Sequence, residues 1–451
     1  MSDSHSHSAG LSRKLGLFDA SMIVMGGIIG SGIFMNPSVV ARIVHTPLLI
    51  LGAWVVGGCI ALAGAFIYAE LASRRPQVGG QYVYLREAFH PLIAFLFGWT
   101  LFLISNCGGM AAVAMTFARY FIDLTKIPLS DSTVAILAII FLTVINCLGV
   151  RAGSTVQNIL MITKILAILM LIGFGASLIA SIAPAATTIA PDESSFDMLT
   201  TFGAALVPVM FAFGGWQTAN FIAGEIREPE KNLPRGLLIG VAGVITLYFA
   251  VNFICVHVLG AEGLAATQTP ASAVMRLAFG EQGAQLIAIG IAVSTLGFLS
   301  QSILTAPRVY FAMAADGLFF KPVAWLHPRT HVPVVAIGMQ GGLSIIIALS
   351  GKYEQILSYV VSNDFVFFGL TASCLFVFRH GESDKGNKRF NMPGHPFTTA
   401  AFIAVCIFIV INTIYKYPFE TGIGLVITLT GIPVYYFWNR RKTNEKSKIR
   451  M

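Results

Sequence analysis

The sequence predicts an all-α membrane protein of 12 transmembrane helices, arranged as two related sets of five followed by two appended helices. Three observations carry that expectation. The chain is 56% hydrophobic and 11% charged, with a mean hydropathy of +0.77, whereas a soluble domain carries roughly 25% charged residues. Apolar runs recur from end to end, each close to the ~20 residues a helix needs to cross ~30 Å of hydrocarbon. Two glycine-bearing interruptions, Gly30-Ser31-Gly32 and Gly214-Gly215, fall inside the first and the sixth of those runs.

After a polar stretch at 1–14, the spans are expected at 15–40, 47–73, 91–122, 132–149 and 154–183, which make the first set. The second set is expected at 198–225, 234–260, 282–316, 332–350 and 354–379. Spans at 397–416 and 419–439 follow the polar segment 380–389, and 440–451 is a basic tail. The resulting divisions are 1–14, 15–183, 198–379, 397–439 and 440–451. Pro229 and Pro234 are expected to break the helix ahead of the seventh span.

Most of the 29 lysines and arginines fall on one side of this arrangement, including Arg74, Arg75, Arg86, Arg227, Arg235, Lys321, Arg379 and the C-terminal run. Arg42, Arg119, Lys126, Arg276, Lys352 and Lys416 occupy the other side. The positive-inside rule places both termini in the cytoplasm. The net charge of +8 is then a topology signal. Its basic residues form no contiguous patch of the kind phosphate tracking needs, so nucleic acid is not an expected partner, and the tail faces lipid headgroups or water. The N-terminal segment lacks an apolar core, so no cleaved signal peptide is expected.

The six cysteines lie in or beside apolar spans without a CxxC pair, and read as small buried hydrophobes. His5 and His7 are too sparse for a metal site. No metal or cofactor is implied. The chain has no HExxH, GxSxG or intramembrane Asp/His pair, which argues against an enzyme.

The interruptions carry the chemistry. A broken helix offers free N–H groups and a positive dipole end at the start of its second half, and free carbonyls at the end of its first half. In hydrocarbon such groups persist where they line a cavity or hold a ligand. Ser31 and Gly32 would present N–H groups to a carboxylate, and the carbonyls around Phe211, Ala212 and Gly214 would accept from an ammonium. The alternative is that the glycines only permit close helix packing. Two breaks at matching positions favour the ligand reading, and the ligand that fits both is a zwitterionic amino acid.

GIIGSGIF with Pro37 following, YAEL at Tyr68–Leu71, RRPQVGGQYVYL at Arg74–Leu85 and FAFGGWQTANFIAGEIREPEKNLPR at Phe211–Arg235 resemble the amino acid–polyamine–organocation (APC) superfamily. The likeness is nearest to the L-type, light-subunit amino acid transporter branch and its bacterial relatives. It continues through VSTLGFLSQSILTAPRVYFAMAADG at Val293–Gly317 and HVPVVAI at His331–Ile337, and so covers nearly the whole chain. The resemblance implies a LeuT-type fold with a 5+5 inverted repeat, broken helices 1 and 6, and alternating access to a central site. It implies that Ile28, Gly30, Ser31 and Gly32 surround the substrate carboxylate, that Phe211, Ala212 and Gly214 receive the amino group, and that Phe211 is the aromatic gate.

Lys164 lies about ten residues into the fifth span, roughly 15 Å deep at 1.5 Å per residue, where an ammonium costs several kcal/mol unless it snorkels, sheds its proton or finds carbonyls. The expected partners are first-span carbonyls near Gly27 and a hydroxyl of Ser294 or Thr295. The resemblance implies that a lysine here substitutes for a sodium ion. A fixed cation suits sodium-independent exchange; a lysine that releases its proton during the cycle would instead couple transport to protons.

Gln217 is uncharged where some relatives of cationic specificity carry an acid, and Asn106 is placed either at the pocket or in an interhelical hydrogen bond. Asp364 is the one carboxylate that could reach the pocket. Small neutral L-amino acids are therefore favoured as substrate. Glu70, Glu225 and Arg308 read as headgroup-level or structural pairs at span ends. Eukaryotic light subunits of the resembled branch carry a cysteine between spans three and four that links them to a glycoprotein. The segment between Ile122 and Ser132 has none, so no disulfide-linked heavy subunit is expected, and a free-standing, multi-pass protein of a bacterial inner (plasma) membrane is. A non-transporting amino acid sensor of the same fold is the alternative from another class.

Overall fold

The computed structural model describes residues 11–179, 195–350, 353–381 and 390–449. The expected boundary at 183 and the segment 382–389 lie outside them. Among the described residues the regular structure is helical, apart from one isolated parallel bridge between Leu15 and Ile226.

The first span is two helices, α1 (Leu17–Ile28) and α2 (Gly32–Val44), and the second is α3 (Pro47–Arg74). A short α4 (Gln81–Ala88) leads to the third span, α5 (Pro91–Thr100) and α6 (Cys107–Thr125), joined through a π-helical stretch at Leu101–Asn106. Then come α7 (Asp131–Cys147), α8 (Val150–Ile179) and α9 (Ser195–Phe213), which passes into a 3₁₀ segment at Trp216–Glu225. The remaining helices are α10 (Pro229–Ala266), α11 (Pro270–Thr305), α12 (Pro307–Ala315), α13 (Val334–Ser350), α14 (Tyr353–Gly381), α15 (Phe397–Lys416), α16 (Pro418–Leu429) and α17 (Gly431–Ile449).

Among the described residues nine helical segments are long and apolar enough to cross a membrane, and α7 and α13 are shorter apolar helices of 17 residues each. The 29-residue α14 occupies the place of the expected tenth span. The core is built where α10 packs on α1 and α3, α11 packs on α8 and α6, and α2 packs on α9.

Several boundaries differ from those expected. The helix is interrupted ahead of the seventh span, at 226–228, but α10 begins at Pro229 itself and carries Pro234 inside it, so the span starts earlier than 234. Pro229 stands at the first helical position, where a missing N–H has no intrahelical acceptor to lose. Within α11 the helix that starts at Pro270 is interrupted at Phe279 and Gly280 and resumes close to the expected start of the eighth span at 282, which is then divided from α12 at Pro307. The last helix runs to Ile449, so the basic run at 440–449 is helical.

Glu225 and Arg308 form a structural pair. Both side chains are fully buried, with Arg308 Nη2 2.9 Å from Glu225 Oε1 and Nε 3.1 Å from Oε2. Glu70 is also buried, and accepts from Arg74, from Arg379 and from the Met392 N–H. These are structural pairs that pin span ends together. The backbone before α1 is tied to the same region: the Lys14 and Leu15 N–H groups donate to the Glu225 carbonyl at 3.0 Å, and the Arg227 N–H donates back to Leu15 at 2.8 Å.

Candidate substrate site

The first break spans Ile29–Ser31. Ile29 is extended (φ −76°, ψ 98°), and Ser31 caps α2, whose first residue is Gly32. The first N–H groups of α2 therefore lack an i−4 acceptor. The carbonyls freed at the end of α1 do not. Three in succession are held from three different helices. Ile28 accepts from Tyr248 Oη of α10 at 3.1 Å, Ile29 from Lys164 Nζ of α8 at 2.5 Å, and Gly30 from Ser294 Oγ of α11 at 3.1 Å.

Lys164 thus reaches a first-span carbonyl, but that of Ile29 and not one at Gly27. Its side chain is fully buried. Thr295 turns away, donating to Ala292 of its own helix. Gly27 instead lies against the second break: a Cβ on it would stand 2.7 Å from the Gly215 carbonyl and 2.7 Å from Thr218 Oγ1.

The second break follows Phe213. Gly215 takes φ 108°, a conformation L side chains rarely adopt, and a Cβ there would collide with the Gly27 carbonyl. Main chain meets main chain between the breaks, which is why glycine is needed on both sides. The Phe211 carbonyl accepts from the Gly214 N–H at 3.3 Å, and that of Ala212, 3.2 Å from Tyr248 Oη, shares the single hydroxyl proton of that tyrosine with Ile28. One lone pair of Phe211 is thus engaged, and one of Ala212 in part. Thr218 Oγ1 donates to Gly215 at 2.7 Å and receives Gln301 Nε2 at 2.5 Å, extending the second break to α11.

A cavity of about 110 Å³ opens between the two breaks. Gly27, Ile28, Gly30, Ser31, Gly32, Phe211, Ala212, Gly214, Gln217 and Asn106 all line it. Lys164, Ser294 and Thr295 lie behind the first break and do not line it. Phe211 is 36% exposed. Asn106 ends the π-helical stretch, and Asp364 of α14 faces the cavity with Oδ1 accepting from Ser105 Oγ at 2.8 Å.

The cavity thus has N–H donors at one break and carbonyl acceptors at the other, and the remaining wall is largely apolar. The family model for amino acid permeases matches residues 15–437. The chain belongs to the amino acid permease family.

The serine/threonine exchanger SteT of Bacillus subtilis is 33% identical to this permease over 98% of the chain and 100% of its own length. The human cystine/glutamate transporter is 30% identical over 96% of the chain and 87% of its length. The human large neutral amino acids transporter small subunit 2 is 30% identical over 96% of the chain and 82% of its length. The permease is therefore a multi-pass membrane transporter and not an enzyme, and its all-helical architecture with broken first and sixth spans is consistent with a LeuT-type fold.

Tyr248 carries no sequence signal, being one tyrosine in an apolar helix, yet its hydroxyl stands between the two breaks. Its ring is held by Trp54 and Phe213, with centroids at 5.7 and 5.0 Å. Tyr248→Phe keeps those contacts and removes the donor, a loss of roughly 1–2 kcal/mol. We expect the KM of the permease to rise about tenfold with thermal stability nearly unchanged. A KM within twofold of the parent would show that the break geometry does not depend on this hydroxyl. Asn36, which donates to the Pro208 carbonyl at 2.7 Å and so ties α2 to α9, was equally invisible in the sequence pattern.

Proposed function

We propose that the permease exchanges small neutral L-amino acids across a bacterial inner membrane by alternating access, without sodium and with both termini cytoplasmic. In this reading 15–183 and 198–379 are the inverted five-span repeats, 397–439 supplies two further spans, and the count is twelve. The Gly30–Gly32 N–H groups receive the carboxylate, Phe211 and Gly214 carbonyls receive the ammonium, and Phe211 covers the substrate.

The observation that carries the reading is Lys164 Nζ on the Ile29 carbonyl. A cation that belongs to the chain holds the break open for ligand, so no dissociable ion is needed to do so. Relatives named as a serine/threonine exchanger and a large neutral amino acids transporter support both the mode and the substrate class.

Reconstitution into proteoliposomes tests it. Labelled serine should enter only when the lumen is preloaded with amino acid, equally in sodium and in choline buffer. Uptake into empty vesicles driven by an acid-outside gradient would assign proton symport, with Lys164 as the coupling residue. No uptake in either condition, with serine still binding the purified protein, would make it a sensor.

A further inference from the structure

We propose that Gln157 and Asp19 are positioning residues that set α1 in opposite senses. Asp19 holds the helix where it stands, and the Gln157 amide takes up the Gly26 and Gly27 carbonyls when α1 swings away. The proposal rests on the alternating-access reading above and names the side chains that bias its two states.

Gln157 lies on α8 seven residues before Lys164, two helical turns away on the same face. Its side chain is fully buried, and among the described residues neither Nε2 nor Oε1 has a hydrogen-bond partner. The amide lies directly against α1, because a Cβ on Gly26 would stand 1.9 Å from Nε2. Among the described residues the Gly26 and Gly27 carbonyls accept no hydrogen bond either, since the run of carbonyls held by side chains begins at Ile28. Gln301 approaches the same glycines from α11, but its Nε2 donates to Thr218 and Thr305. A buried amide thus touches two open carbonyls without bonding to them. That contact costs free energy in this conformation and is relieved by a small reorientation of the backbone.

The glycine pair is where the backbone can reorient. On its C-terminal side Tyr248, Lys164 and Ser294 fix Ile28–Gly30. On its N-terminal side α1 is a regular helix, and two consecutive glycines between a fixed segment and a stiff one are where a bend falls. What opposes the bend sits at the start of the helix. Asp19 Oδ1 accepts from Asn158 Nδ2 at 2.7 Å and from Ser154 Oγ at 3.2 Å, both on α8, while Oδ2 accepts from the Gly16 N–H at 2.9 Å. Gln157 lies between those two donors in the sequence. The helix that latches the start of α1 therefore also carries the amide that receives its end.

Deuterium uptake at residues 17–25 of the purified permease reads how often α1 swings, independently of transport. Gln157→Met keeps the length and removes the amide, and should slow that uptake roughly tenfold. Asn158→Leu removes the shorter bond to Asp19 and should speed it by roughly the same factor. Together the two changes should return uptake to within about threefold of the parent, and each alone should lower the maximal rate of serine exchange in proteoliposomes. Faster uptake in Gln157→Met, with a lower melting temperature, would mean that water already satisfies the amide in this conformation, and overturns the proposal. So does parental uptake in Gln157→Met, or a double variant that swings as often as Asn158→Leu alone. Should the methionine variant not fold, Gln157→Leu is read in the same way against the same outcomes. Absence of amino acid exchange in the parent, with the uptake pattern as expected, would instead sink the exchange reading and leave the two opposed side chains standing.

Discussion

Lys164→Ala should lower amino acid exchange by roughly 30- to 1,000-fold, the loss of about 2–4 kcal/mol from an orphaned carbonyl and an emptied buried site. The Ile29 carbonyl has this one donor, and it is the middle member of the three held carbonyls. Its release frees the backbone that presents the Gly30–Gly32 N–H groups. Lys164→Met separates packing from bonding, because it nearly keeps the volume and removes the donor. It should be as inactive as the alanine variant while unfolding closer to the parent. Arginine should not rescue, since a Cβ on Gly297 would already lie 3.0 Å from Lys164 Cε and 3.2 Å from Nζ; that face has no room for a guanidinium. Initial rates in proteoliposomes, normalised to inserted protein, decide the matter. Parental rates in Lys164→Met would remove the lysine from the mechanism, and partial recovery by added sodium would identify it as standing in for that ion.

Arg308→Met should destabilise the permease by about 3–5 kcal/mol, because it leaves the Glu225 carboxylate buried without its partner. The bidentate pair has both side chains at 0% exposure, and even so Arg308 Nη1 lacks a hydrogen-bond partner. A pair so desolvated contributes little net stability against an apolar replacement, yet breaking it from one side is costly. The double variant Glu225→Leu/Arg308→Met should therefore recover most of the loss. The single variant should also loosen the segment before α1, since the Glu225 carbonyl receives Lys14 and Leu15. Thermal unfolding in detergent and hydrogen exchange at residues 14 and 15 read the two effects. A single variant as stable as the parent would show that water reaches Glu225.

The long-range plan of the molecule was legible because it depends on properties each residue carries alone. Apolar runs mark spans, and glycines at 30–32 and 214–215 mark places where a helix cannot run smoothly. Where neighbours decide, legibility ended. Pro229 reads as a breaker in isolation but is harmless at a first helical position. The π-helical turn at Leu101–Asn106 leaves no mark in a run of apolar residues, so the meeting of Ser105 with Asp364 could not be anticipated. Lys164 stood out because a charge in hydrocarbon demands an acceptor. The acceptor's identity, Ile29 and not a carbonyl near Gly27, depended on how far α1 stays wound. Glu225 and Arg308 are 83 residues apart in sequence, and only the tertiary fold turns two span-end charges into one buried pair.

The three held carbonyls at Ile28, Ile29 and Gly30 bear on how small a ligand can be. Fixing the backbone of a residue costs about 1–2 kcal/mol of conformational entropy, and a ligand gains at most about 1.5 kcal/mol per non-hydrogen atom. An amino acid the size of serine, with about seven such atoms, can gain at most about 10 kcal/mol, and ordering a slack three-residue loop would consume about 3–6 kcal/mol of it. Folding has already ordered that loop through Tyr248, Lys164 and Ser294. The binding energy of a molecule that small is then left over for recognising what it is.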